Sequence, residues 1–287
     1  MKAGVVALIG RPNVGKSTLL NNLLGQKVAI TSPRPQTTRF PLRAVYEDER
    51  GQIIFVDTPG IFAKTPDLLS KKVNPQAEIT LNQGVDLILY LIDHTRKRDL
   101  EENKTLGMVR KAEDIPKILV INKIDLKKPN YLAQYKFIED EINQVVEISA
   151  LKRTNLKFLL ETIFGFLPER KPLIERKLAT PALNIDSKTF ISEIIREKAF
   201  IFLRDELPYS LTVVVDEISE RENGLLYIKV RILTTNDKYR KMIIGKKAKM
   251  VKEIGMAARK ELEVATNKKV FLDLKVEVDK HWMKRFL

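Results

Sequence analysis

The chain has no cysteine, so no disulfide, thiolate-bound metal or cysteine-held cluster contributes to its fold or chemistry. Its only histidines are His94 and His281, too few for a histidine-rich metal site. This composition fits a reducing, cytoplasmic setting. No apolar run approaches the ~20 residues that a membrane-spanning helix needs. The apolar stretch Val5–Ile9, preceded by one lysine, is too brief for a secretory signal and reads as a buried strand. Acidic residues are scarce beside basic ones, 37 against 51, for a net charge of +14. A surplus of that size points to a polyanionic partner, either nucleic acid or an anionic membrane surface. Between Lys238 and Lys260 stand Lys238, Arg240, Lys241, Lys246, Lys247, Lys249, Lys252, Arg259 and Lys260, with Glu253 as the one acid among them.

The 287 residues, 44% of them hydrophobic, suffice for two ordinary domains with real cores. Through the first ~165 residues short apolar strands alternate with helical stretches, which predicts an α/β domain with a mostly parallel sheet and helices on both faces. The predicted strands are Val5–Ile9, Ile53–Asp57, Leu87–Asp93, Lys117–Ile121 and Val145–Ser149. Helices are predicted to begin near Lys16, Leu68, Leu100, Leu132 and Asn155. Pro168, Pro172 and Pro181 punctuate a charged stretch, so the expected division is a domain over 1–167, a linker over 168–180 and a second domain over 181–287. The second part has a different rhythm. Phe190, Ile191, Ile194, Ile195, Phe202 and Leu203 recur at helical spacing, and strands Leu211–Glu220 and Leu225–Leu233 flank a turn at Asn223-Gly224. A helix Asp237–Ile243, a glycine loop at Gly245, a helix to Ala265 and a strand Val270–Val278 complete an α-β-β-α-α-β order.

The segment Gly10-Arg11-Pro12-Asn13-Val14-Gly15-Lys16-Ser17 matches G-x-x-x-x-G-K-S between a strand and a helix, and all eight residues are assigned to a nucleoside triphosphate. Its glycines let backbone N–H groups curl around phosphates, and the helix that follows turns its positive end towards them. Lys16 places a cation between the β- and γ-phosphates, and Ser17 offers a hydroxyl to Mg²⁺. Asp57-Thr58-Pro59-Gly60, at the end of a buried strand, supplies an aspartate for Mg²⁺ and a Gly60 N–H for a γ-phosphate, with Ile61 next to it. The polar stretch Gln36-Thr37-Thr38-Arg39 offers a threonine to the same metal. Thr38 is favoured over Thr37, and the choice stays open.

These loops do not distinguish ATP from GTP. Asn122-Lys123-Ile124-Asp125 does. The carboxylate of Asp125 accepts from the N1–H and 2-amino group of guanine, a donor pair that adenine lacks. The stem of Lys123 can lie over the base, and Asn122 can brace the loop and reach N7. Ser149-Ala150-Leu151 ends a later strand and places the Ala150 N–H to meet guanine O6.

The elements GRPNVGKS, QTTR, DTPG, NKID and SALK, in this order and spacing, resemble the bacterial Era family of GTPases. So do Ser192–Lys198 (SEIIREK), Glu206–Ser210 (ELPYS) and Ile243–Lys247 (IIGKK), which extends the likeness over nearly the whole chain. The resemblance implies a P-loop GTPase domain joined to an α+β type II KH domain. It also implies binding of single-stranded 16S ribosomal RNA at the 3′ end and a part in maturation of the 30S subunit. An asparagine at Asn13 helps hold a monovalent cation in related GTPases, so K⁺ stimulation is an expectation. Many GTPases orient the attacking water with a glutamine where this chain has Ile61, which predicts slow hydrolysis resting on Lys16, Thr38, Asp57, Gly60 and Asn13.

A KH module clamps nucleic acid with a GxxG loop. Here it reads Gly245-Lys246-Lys247-Ala248, and alanine in the last position makes a left-handed backbone there unexpected. Lys246, Lys247, Lys249 and Lys252 are expected to meet phosphates, and Ile243 and Ile244 to support bases. Met250, Ile254, Ala258 and Leu262 recur at i+4 as core positions. Lys229 and Arg231 line either an extended RNA path or a solvated sheet face. Trp282 is expected to pack against the last strand rather than to stack on a base. The chain is expected to act as a monomer in the cytoplasm. The alternative is a regulatory GTPase peripheral to the inner membrane, using its basic domain on anionic lipid.

Overall fold

The computed structural model describes residues 1–27, 29, 42–58, 84–174 and 187–283. Thr37, Thr38, Pro59, Gly60, Ile61 and the helix expected near Leu68 lie outside them. The chain divides into two units, Met1–Asn184 and Ile185–Leu287.

In the first unit the described strands are β1 (Lys2–Ile9), β2 (Leu42–Asp48), β3 (Gly51–Asp57), β4 (Leu87–Asp93), β5 (Lys117–Asn122) and β6 (Val145–Glu147). They form one sheet in the order β2-β3-β1-β4-β5-β6. Only β2 runs antiparallel to its neighbour. Its pattern Leu42-Arg-Ala-Val-Tyr-Glu-Asp48 is half polar, as suits an edge strand, so it has no continuous apolar run to mark it in the sequence. β3 and β4 are buried at every residue, as strands covered on both faces must be. The helices are α1 (Lys16–Leu24), α2 (Leu100–Lys111), α3 (Lys136–Glu141) and α4 (Leu156–Phe166). Leu106 and Val109 of α2 and Ile138 of α3 share a buried cluster with Ile88, Tyr90 and Ile92 of β4. Asp99 caps α2 by accepting from the Glu102 N–H at 2.9 Å. Glu101 and Glu102 in its first turn and Arg110 and Lys111 in its last complement the helix dipole.

Strand ends shift from expectation by one to three residues, and two differences go further. The helix expected at Leu132 begins as a 3₁₀ turn, Leu132–Gln134, before α3. The expected linker starts too early, because Pro168–Ile174 is tied to the first unit. Ala3 donates to the Pro168 carbonyl (3.1 Å) and Arg170 to that of Met1 (3.1 Å). The Gln52 amide also brackets Leu173 and Ile174 with three hydrogen bonds. The prolines suggested a linker, but the backbone groups between them still need partners and find them on β1 and β3.

The second unit holds α5 (Ser187–Phe202), β7 (Leu211–Glu220), β8 (Leu226–Thr234), α6 (Asp237–Ile244), α7 (Lys249–Thr266) and β9 (Val270–Val278). Its sheet order is β7-β8-β9, antiparallel then parallel, which gives the α-β-β-α-α-β topology read from the sequence. Ile254, Ala258 and Leu262 of α7 are fully buried against Ile228, Val230 and Ile232 of β8. On the outer sheet face the Arg231 guanidinium grips Asp216 at 2.7 and 2.8 Å and reaches Glu277 at 3.3 Å. Arg231 therefore belongs to an ion-paired, solvated sheet face. Trp282 is buried, and its indole N–H donates to the Ser210 carbonyl at 3.2 Å.

Candidate nucleotide site and candidate nucleic-acid interface

The ends of β1, β3, β4 and β5 converge where a parallel sheet presents its ligand sites. After β1, the loop Gly10–Gly15 turns into α1. Gly15 has φ +106°, and a Cβ there would stand 2.3 Å from the Asn122 amide nitrogen, so no side chain fits. That nitrogen donates to the Val14 carbonyl at 2.8 Å. Asn122, only 2% exposed, thus braces the phosphate loop from β5. Its Oδ1 accepts from Lys123 N–H (2.8 Å) and Ala150 N–H (2.9 Å). Ala150 N–H is therefore engaged within the protein, whereas the sequence reading aimed it at guanine O6.

The Lys16 ammonium, 6% exposed, donates to the carbonyls of Gly10 (2.8 Å) and Arg11 (3.2 Å). Burial pushes it down to about 8, against the pull of the Asp57 and Glu102 carboxylates. Below about pH 8 the folded and unfolded chains both carry this proton. Between about 8 and the ordinary 10.5 the unfolded chain keeps a proton that the fold has released, so the nucleotide-free fold gains stability as pH rises there. Phosphate binding needs the protonated form, so its dependence has the opposite sign. We expect GDP affinity to fall about fourfold from pH 7 to pH 8.5 in calorimetric titrations, with no such fall in a Lys16→Gln variant.

Ser17 Oγ donates to Asp57 Oδ2 at 2.6 Å. Asp57 is fully buried, and its other oxygen, Oδ1, has no hydrogen-bond partner among the described residues. Burial raises its carboxyl above the usual range, opposed by Lys16 and Ser17. One hydroxyl, one carboxylate with an open oxygen and a nearby phosphate cradle form a hard, sparse donor set that fits Mg²⁺, which is commonly bound by one or two protein oxygens plus phosphates and water. No cluster of three or more His, Cys, Asp or Glu side chains able to hold a metal occurs among the described residues. Thr58 has a structural part, its hydroxyl donating to the Leu8 carbonyl at 2.7 Å.

Arg11 departs from its assignment. Its backbone belongs to the loop, but its side chain turns inward and is fully buried. Nε lies 3.0 Å from Glu102 Oε2, and Nη2 donates to Tyr135 Oη (3.0 Å) and the Asp93 carbonyl (3.3 Å). Tyr90 Oη donates to Glu102 Oε1 at 2.6 Å. Arg96 reaches back to the Pro12 carbonyl at 3.0 Å. The phosphate loop is therefore held from below by α2 and the loop after β4. An arginine one residue into a glycine loop gives no sequence signal of such a contact.

The loop carrying Lys123 and Asp125 follows β5. Asp125 is exposed, and Ser149 Oγ donates to its Oδ1 at 2.5 Å, which orients the carboxylate. Lys123 adopts φ +70°, and its ammonium meets Asp93 Oδ2 at 2.6 Å. Burial raises the Asp93 carboxyl, but hydrogen bonds from Lys123 and Thr95 outweigh it and hold the group below the usual carboxylate range. Asp93 and His94 had no assigned part, although the strand-end rule that flagged Asp57 applies equally to them. Asn13 is exposed, with φ +62°, and Leu151 is 69% exposed.

In the second unit, α6 ends at Gly245, whose φ is +75° and where a Cβ would press on Met250 at 2.8 Å. Asn236 caps the start of α6 by accepting from Tyr239 N–H at 2.8 Å. Lys246, Lys247, Ala248, Lys249 and Lys252 are all exposed. Two expectations are corrected. Ile243 is fully buried in the domain core and is not available to a base, whereas Ile244 is half-buried. Ala248 is left-handed after all, at φ 56°, ψ 23°, directly after Lys247 at φ 50°. Closing the turn between two helices demands that backbone whatever residue occupies it. A non-glycine residue pays about 1–2 kcal/mol there, partly offset by the unfolded-state entropy of a glycine. Ala248→Gly is therefore expected to stabilise this domain by about 1 kcal/mol in denaturant titrations. Beside the turn, Lys252, Gly255, Met256, Arg259, Phe271 and Leu274 line a groove of 280 Å³ between α7 and β9. Met256 and Phe271 are half exposed beside the two cations, a mixed surface that no periodicity announced.

A family profile described as "50S ribosome-binding GTPase" matches residues 5–123, and one described as "KH domain" matches residues 206–283. GTPase Era of Halothermothrix orenii is 41% identical over 286 residues, covering 99% of this chain and 95% of the relative. GTPase Era of Caldanaerobacter subterraneus subsp. tengcongensis is 44% identical over 285 residues, covering 98% and 94%. Among solved structures, a variant of Aquifex aeolicus Era bound to GDP and AlF4⁻ is similar with a TM-score of 0.91 at 40% identity, over 99% of this chain and 96% of that one. An Era in complex with MgGDPNP and nucleotides 1506–1542 of 16S ribosomal RNA gives the same TM-score, 0.91, at 39% identity and the same coverage, 99% and 96%. With a GTPase profile and a KH profile matched in one chain, and two-fifths identity along nearly its whole length, the chain belongs to the Era family of GTPases.

Proposed function

We propose that the chain is a GTP-hydrolysing switch that binds the 3′ end of 16S ribosomal RNA through its second domain and acts in maturation of the 30S subunit. The observation that carries this reading is the pairing, in one chain, of an Asp125 carboxylate oriented by Ser149 with an exposed lysine turn at Gly245. The relative bound to both MgGDPNP and a 16S RNA segment supports it. Lys16 would stand between the β- and γ-phosphates, and Ser17 and Asp57 would hold Mg²⁺, which when bound neutralises charge developing on the phosphates. Thr38 as a further Mg²⁺ ligand and the Gly60 N–H as a γ-phosphate contact, both outside the described residues, complete the proposal. With Ile61 in place of a water-orienting glutamine, catalysis rests on positioning and charge stabilisation, and the rate is slow. Asn13, exposed on the phosphate loop, is the proposed K⁺ contact. Hydrolysis should run faster in K⁺ than in Na⁺ buffer, and equal rates would remove that part.

Lys246, Lys247 and Lys252 would meet phosphates, and the neighbouring groove with Phe271 would receive unpaired bases. The comparisons lend no support to the lipid-surface alternative. The test is RNA binding across a salt series. For single strands each neutralised phosphate contributes a slope of about −0.7, so Lys246→Gln with Lys247→Gln should flatten the log–log slope by about 1.4. An unchanged slope would take the turn out of the interface.

A further inference from the structure

We propose that His94 is a positioning residue for guanine recognition, acting through the backbone of Lys123 to aim Asp125. The inference rests on the reading of Asp125 as the guanine-contacting residue.

His94 follows the last residue of β4 and is 6% exposed. Its Nε2 lies 3.1 Å from the Lys123 carbonyl oxygen. A carbonyl only accepts, so Nε2 carries a proton and donates it to Lys123. The other nitrogen, Nδ1, is buried with no hydrogen-bond partner. An apolar side chain of similar volume would fill the same space without that orphaned nitrogen. Among the described residues, the ring's one polar contact is the bond to Lys123.

That carbonyl governs the loop. Lys123 has φ +70°, a conformation that non-glycine residues hold only under restraint. Restraints reach it from three directions: Asn122 Oδ1 takes its N–H (2.8 Å), Asp93 Oδ2 takes its ammonium (2.6 Å) and His94 takes its carbonyl. The same carbonyl accepts from the Leu126 N–H at 2.9 Å, which closes a turn with Asp125 inside it. A cleft of 270 Å³, lined by His94, Ile124, Leu126 and Glu147 among others, lies against the loop. Packing leaves that side open, so direction comes from hydrogen bonds, and His94 supplies the one made to the carbonyl from outside the turn.

The test compares GDP with inosine diphosphate, which lacks the 2-amino group and so gives Asp125 one donor instead of two. The GDP-to-IDP affinity ratio therefore reports how well Asp125 is aimed, and a loss of stability alone leaves it unmoved. Both affinities are measured on the full chain, alongside thermal unfolding, for the unaltered protein, His94→Phe and His94→Gln. The unaltered chain should prefer GDP by about tenfold or more. His94→Phe should cut that ratio at least about threefold, and His94→Gln, whose amide N–H can reach the Lys123 carbonyl, should restore it to within about twofold. If His94→Phe does not fold, His94→Ala takes its place. A ratio in the variant equal to that of the unaltered chain overturns the inference, whatever happens to the melting temperature. Absence of any GDP preference in the unaltered chain would instead overturn the guanine reading of Asp125 on which it rests.

Discussion

Replacing Asp125 with asparagine should lower GDP affinity by about a hundredfold or more and raise affinity for xanthosine diphosphate. The Asp125 carboxylate has only acceptors to offer, and guanine presents two donors along one edge. Hydrogen bonds to a charged group contribute about 1.5–3 kcal/mol each, so losing two is worth at least a factor of a hundred. Asparagine puts an N–H donor where guanine also donates, so the defect includes a repulsion. Xanthine carries a carbonyl in place of the 2-amino group and accepts from that N–H. Ser149, which now donates to the carboxylate at 2.5 Å, can donate equally to the asparagine carbonyl and so present its amide nitrogen to the base. Competition of XDP and GDP for a fluorescent nucleotide checks the exchange. A variant that keeps its GDP preference would remove Asp125 from base contact.

Arg11→Met should destabilise the first domain by about 3–5 kcal/mol, because it removes one partner of a fully buried ion pair and leaves the other. The carboxylate left behind is Glu102, with no exposure and one remaining hydrogen bond, from Tyr90 Oη. Burial already raises the Glu102 carboxyl above its ordinary range, opposed by Tyr90 and Arg11. Without Arg11 that rise grows, and protonation then relieves the buried charge. The defect should accordingly be largest near neutral pH and shrink as pH falls towards 5, since a group whose folded value is raised is best tolerated when protonated. Urea unfolding of the variant at two pH values reads both effects. A pH-independent loss would mean that volume, and not charge, is what Arg11 contributes. The network also joins α2 to the phosphate loop, so GDP should dissociate faster from this variant even where it remains folded.

Glycine spacing and strand ends make the candidate nucleotide site legible in the sequence. Gly15 has to be glycine because Asn122 stands 2.3 Å from where a Cβ would be, and both residues were marked by motif. The second domain was legible through periodicity, since β7, β9 and the α7 stripe Ile254, Ala258, Leu262 repeat as strand and helix must. Contacts made at a distance in sequence were not legible. Arg11 and Glu102 are 91 positions apart, and neither has a neighbour that hints at the other. His94 looked idle because its partner is a backbone carbonyl, which no side-chain pattern records. Ala248 misled for a different reason. Residue propensity argued against a left-handed backbone, but the closure of the α6–α7 turn outweighs a preference of that size. Ile243 and Ile244 were both expected to support bases, yet adjacent residues of a helix do not share a face, and Ile243 faces the core.

The most direct measurement of the central proposal is crosslinking of the protein to cellular RNA, with and without a non-hydrolysable GTP analogue, followed by sequencing of what is bound. The 3′ end of 16S ribosomal RNA should dominate the crosslinks, and its share should rise with the analogue, since coupling between nucleotide and RNA binding is reciprocal. Crosslinks spread over cellular RNAs in proportion to their abundance, and unmoved by nucleotide, would contradict it.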